Sequence, residues 1–95
     1  MKMFTNSEQT AKLIELGFEK PSSIASVEPI YGMGGISVAK AYSIGELIEI
    51  LDNHGIEIKN FGYWIVDHEW YISTKDELID ALYDCIVKLK ELKKL

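Results

Sequence analysis

The chain reads as an α+β protein with elements in the order α-β-β-α-β-β-α, a small antiparallel sheet carrying helices mainly on one face. Three observations predict this. Hydroxyl residues stand three positions before a glutamate at three places, Thr5 to Glu8, Ser43 to Glu46 and Thr74 to Glu77, which is the spacing of a helix-starting capping box. Between those starts lie two stretches rich in β-branched and aromatic residues. Each stretch is broken by glycine or a polar pair, as hairpins are.

The first helix is predicted from Ser7 to Leu16, with Ala11, Leu13 and Ile14 as its apolar stripe, Gly17 as its stop and Phe18 folding back on the stripe. After the Lys20-Pro21-Ser22-Ser23 turn, Ile24, Val27, Ile30 and Tyr31 suit one short strand, and Ile36, Val38 and Tyr42 a second. Gly32-Met33-Gly34-Gly35 is then the hairpin tip, and Pro29 marks the first strand as an edge. A second helix starts at Ser43, buries Leu47, Ile48, Ile50 and Leu51, and ends at Asn53-His54-Gly55.

From Ile56 to Ser73 strand formers return as a hairpin, with Asp67 and His68 near its tip. Asn60-Phe61-Gly62 is either a bulge or a turn that divides the stretch into three short strands. The last helix spans residues 75–92, where Leu78, Leu82, Cys85, Leu89 and Leu92 recur at spacings of four and three, widened by Ile79 and Ile86. Acids in its first turn and lysines in its last oppose the helix dipole.

At 95 residues, 47% hydrophobic and 26% charged, the chain is expected to be a single domain, 1–95, with its own core. A lone cysteine, no apolar leader and no apolar run long enough to span a bilayer point to the cytoplasm and to no membrane partner. The net charge of −5 is unevenly spread. Residues 1–45 balance, residues 46–84 carry ten acids against Lys59 and Lys75, and the segment after them is basic. Such a surface repels phosphate backbones, and the chain lacks arginine altogether, so no nucleic-acid partner is expected.

Leu16-Gly17-Phe18, the run from Ala41 to Leu51, the aromatic hairpin and the run from Asp76 to Tyr83 together resemble small uncharacterised α+β proteins of gut bacteria and their prophages. The stretch from Gly32 to Gly35 lies outside the likeness. No activity comes with the resemblance; it implies a bacterial or phage cytoplasm.

No catalytic or cofactor-binding constellation emerges from the residues. Asp67-His68-Glu69 is the densest titratable cluster, but neighbours in a strand point to opposite faces and a hairpin tip faces water. His54, His68, Asp52 and Cys85 contain no pair with the close spacing of zinc ligands, and His54 at a helix end is explained by the dipole. Cys85 is expected to act as a small hydrophobe on the last helix. The glycine-rich tip fails the phosphate-loop patterns, and Lys88 to Lys94 read as a solvated helix end. No metal and no cofactor are predicted.

The strongest candidate is the aromatic hairpin, where Tyr63, Trp64, Trp70 and Tyr71, joined by Asp67 and Glu69, form the expected partner-binding set. Alternation sends these aromatics to both sheet faces, and helices cover one; alternatively, loops or the first hairpin cover both. The expected function is a protein-binding adaptor or regulator, not an enzyme, meeting a basic protein or a second copy of itself through an acidic, aromatic surface. Two alternatives stand beside it. One is a phage-type inhibitor imitating nucleic acid, which needs Glu46, Glu49, Asp52, Asp76, Asp80 and Asp84 on one continuous surface. The other is a small enzyme using His68 with a neighbouring carboxylate.

Overall fold

The computed structural model describes residues 1–30, 32, 35–52 and 55–95. Tyr31, the hairpin tip at Met33 and Gly34, and Asn53 with His54 lie outside the described residues. The elements follow in the order α1 (Ser7–Glu15), β1 (Ile24–Ile30), β2 (Gly35–Lys40), α2 (Ile44–Asp52), β3 (Glu57–Asn60), β4 (Trp64–His68), β5 (Tyr71–Lys75) and α3 (Leu78–Glu91). All strand pairing is antiparallel. The α+β class therefore stands, with one strand more than the expected order and two sheets in place of one.

The extra strand exists because Asn60-Phe61-Gly62 makes a turn, not a bulge. The Asn60 side chain accepts the Gly62 N–H at 3.1 Å, and Gly62 takes φ +85°, a region that a residue with a Cβ enters only at a cost. The turn folds β3 back on β4, with Ile58 opposite Val66. A second, two-residue turn at Glu69-Trp70 sets His68 opposite Tyr71 and Val66 opposite Ser73.

Helix α3 lies on β4 and β5 and is packed in turn by α2. Its stripe is deeply buried: Ile79, Leu82, Cys85, Ile86 and Leu89 are solvent-free, with Leu13, Leu47, Leu51 and Val66 completing the centre of the core. Each such side chain contributes about 1.5–3 kcal/mol by leaving water. Leu92, counted on the stripe from its spacing, instead caps the helix and is exposed.

Two of the three capping boxes are not where the spacing puts them. At α1 the cap is Asn6, exchanging side-chain hydrogen bonds with Gln9 at 2.8 and 3.0 Å. Thr5 is unavailable, since its hydroxyl accepts the Tyr42 N–H at 3.0 Å while its own N–H donates to the Tyr42 carbonyl. At α3, Thr74 and Lys75 belong to β5, so the helix starts at Glu77 without a side-chain cap. The α2 box is as expected: Ser43 and Glu46 bond each other's backbone N–H at 3.2 and 3.1 Å.

The β1–β2 ribbon stands apart from this body. Its strands pack chiefly on each other, and Ile24 and Val27 are 54% exposed and Val38 40%. The molecule measures 51 × 31 × 19 Å, with a radius of gyration of 14.8 Å. A compact chain of this length has about 12 Å, so the excess fits a projecting arm. No described helix is long and apolar enough to cross a membrane.

Candidate functional site

The predicted hairpin set is divided by the sheet, not gathered on it. Trp64 and Tyr71 are half-buried and packed against the core beneath α3, the side shared by Val66, His68 and Ser73. Asp67 lies on the opposite side, cross-strand from Glu57 and Ile72. Tyr63 leaves the β3–β4 turn 42% exposed beside Phe61, which is 68% exposed. Glu69 and Trp70 occupy the β4–β5 turn at the other end of β4, both exposed.

Strand alternation thus does not produce an outward aromatic face. The outer face carries Ile65, Asp67, Ile72 and Thr74, and the exposed aromatics belong to the two turns. Phe61 is one of five aromatics that the sequence places in this hairpin and was not in the expected partner-binding set, yet it is the most exposed of the five. Its position directly before a glycine was the available signal.

Trp70 has a neighbour that spacing along the chain did not reveal. The C-terminal turn of α3 reverses at Lys93, the sole non-glycine with positive φ among the described residues, at 58°. That reversal brings the Lys94 ammonium to 4.0 Å from the Trp70 ring centre, a cation–π contact. Lys90 lies 5.3 Å from the Phe18 ring. The basic helix end is therefore partly engaged with aromatic rings, where a wholly solvated end was expected.

The titratable cluster is also taken apart. His68 is buried, not facing water as a hairpin tip would place it, and its Nδ1 accepts the Trp70 N–H at 3.1 Å, closing the turn. Asp67 faces away from it, and Glu69 is exposed. Under α3 a different carboxylate is engaged: the hydroxyls of Tyr71 and of buried Ser73 both donate to Asp84 Oδ2 at 2.8 Å. The Asp84 carboxylate holds the Tyr71 phenol above its ordinary pKa, and burial adds to the effect. Burial, with Asp84 alongside, pushes the Cys85 thiol up to about 11, so it is a protonated core side chain at neutral pH.

The acids proposed for a mimic of nucleic acid are partly spent internally. Asp80 takes the Lys2 ammonium at 3.0 Å and the Gln9 amide at 2.8 Å; burial opposes its charge, but these partners keep its pKa low. Glu46 receives the Ser22 N–H at 3.1 Å as well as the Ser23 hydroxyl and its own helix cap. Burial works against that carboxylate too, and the serines outweigh it, holding the pKa below its ordinary value. Asp84 is occupied as described.

Glu46 also forms part of an open cleft of about 400 Å³ between the loop after α1 and α2, with Phe18, Lys20, Tyr42 and Glu49 on its walls. The Tyr42 hydroxyl donates to the Glu19 carbonyl there, and burial followed by the Glu46 charge raises its pKa. A second groove of about 480 Å³ separates α1 from the base of the ribbon, lined by Ala11, Ile14, Ala25, Ala39 and Ala41. Among the described residues no three histidine, cysteine, aspartate or glutamate side chains converge as a metal ion requires. Comparisons with known protein families, with curated proteins and with solved structures find no match.

Proposed function

We propose that this protein is a small protein-binding adaptor or regulator that works in the cytoplasm through its surface. The observation that carries the reading is the pair Phe61 and Tyr63, 68% and 42% exposed on a turn of the sheet that α3 covers on one face. Large aromatics on a rigid turn supply binding energy at low entropic cost when they enter a partner's pocket. The net charge of −5 speeds encounter with a basic protein. His68 and Cys85, the side chains with most chemical scope, are both buried.

The test is affinity capture from the native host with the wild type and with a Phe61→Ala/Tyr63→Ala variant. A specific partner retained by the first and weakened by about 2 kcal/mol or more in the second supports the reading. Equal retention by both proteins, with the variant folded, removes it.

A further inference from the structure

The ribbon presents a strand edge that the chain protects on one side and leaves open on the other. Pro29 stands in β1 opposite Ile36 of β2. A proline has no N–H to give to a ladder, so it fits a strand only where the donor would point away from the paired neighbour. β1 therefore lacks a donor on its outer edge, a common way of preventing strand addition. The same alternation turns the backbone N–H and C=O of Ile36 and Val38, opposite Pro29 and Val27, toward the outer edge of β2. No described strand pairs with that edge, and within Gly35–Lys40 the single charge is Lys40 at its end.

We infer that β2 is a homodimerisation edge, pairing antiparallel with β2 of a second copy about a two-fold axis at Val38. A two-fold contact must be complementary to itself, each residue meeting its own symmetry mate or a reciprocal partner. Here the outward backbone positions match, Val38 meeting Val38 and Ile36 meeting Lys40 of the second copy, and no charge meets a like charge. The acids that make each copy −5 overall lie mostly in residues 46–84, on α2, the other sheet and α3, with none on β2. Pairing also sets the exposed Val27–Val38 stripes of the two ribbons side by side in one four-stranded sheet. A six-residue edge is shorter than the contact that buries about 800 Å² per partner in a standard interface, so the dimer is expected at micromolar concentration and above.

Sedimentation equilibrium over a dilution series up to about 1 mM tests this, since association in that range corresponds to the weak end of specific affinities. The wild type should approach twice the monomer mass. Val38→Glu and Val38→Lys, at a side chain already exposed, should each weaken self-association by more than about tenfold, because like charges then face each other across the axis. An equimolar mixture of the two variants should restore the dimer, which pairing through any site away from the axis does not predict. Unchanged urea midpoints establish that both variants fold. A wild type that stays monomeric throughout overturns the inference, as do dimers indifferent to both substitutions. Phe61→Ala/Tyr63→Ala should dimerise like the wild type, so this edge and the aromatic turn can fail separately.

Discussion

The three-stranded sheet and the two-stranded ribbon are built from the same kinds of residue, yet only the first has a helix behind it. Val66 is solvent-free because α3 covers β4, whereas Val27 and Val38, opposite each other in an antiparallel pair whose register shifts only between Ile24 and Ser26, remain about half exposed. The difference shows that β-propensity specifies a pleated surface, while burial is decided by what the neighbouring segments bring to it. In the body that role falls to a helix whose apolar stripe runs nearly its whole length. The ribbon has α1 across an alanine-lined groove.

The largest loss should follow from removing core from the body. Leu82→Ala, at a solvent-free position of α3, should cost about 2–5 kcal/mol in urea denaturation, and a loss below about 0.5 kcal/mol would mean that α3 is not what buries the sheet. Next in size, Asp84→Ala strips the shared acceptor from the Tyr71 and Ser73 hydroxyls. The loss should be about 1–3 kcal/mol, with Tyr71→Phe in the same background costing less than it does alone.

Acid should weaken the body through Glu46 and Asp80. Both have folded pKa values below their ordinary 4.5 and 3.8, so the unfolded chain binds protons first as pH falls. Their stabilisation is present above those values and is lost as pH drops through the lower folded ones. The urea midpoint should decline below about pH 4.5, and less steeply in Glu46→Gln. The Cys85 thiol, raised to about 11, should resist a disulfide reagent at pH 8 in the native state and react at once in denaturant. Rapid native labelling would show that the α3 interface opens. Smallest of all, Val27→Ala in the ribbon should shift stability by no more than about 0.5 kcal/mol, the range of ordinary surface changes.

What was legible in the sequence follows the same division. The stripe of α3 could be read residue by residue because a long period of apolar residues overrides local accidents. Its start could not, since Thr74 and Lys75 serve equally well as strand residues and the pairing of β5 with β4 claimed them. The cap of α1 moved by one residue because Thr5 found a partner at Tyr42, far along the chain. Tertiary hydrogen bonds of this kind leave no local signature. Glu46 makes the same point: its cap with Ser43 was visible in the spacing, but the bonds from Ser22 and Ser23 depend on the return of a distant loop. The aromatic hairpin was located correctly and its faces were not. Alternation governs residues inside strands, and Phe61, Tyr63 and Trp70 all lie just outside them.

The placement of the two tryptophans gives the molecule a built-in pair of optical reporters at opposite ends of β4. Trp64 is half-buried against the core, while Trp70 sits in the far turn beneath the Lys94 ammonium. A single-tryptophan variant retaining Trp64 should emit toward the blue and resist iodide, tracking the integrity of the α3 interface. One retaining Trp70 should emit toward the red and respond to the lysine above it, so that Lys94→Ala changes its quenching and leaves Trp64 untouched. Light alone can then distinguish loosening of the core from release of the C-terminal turn.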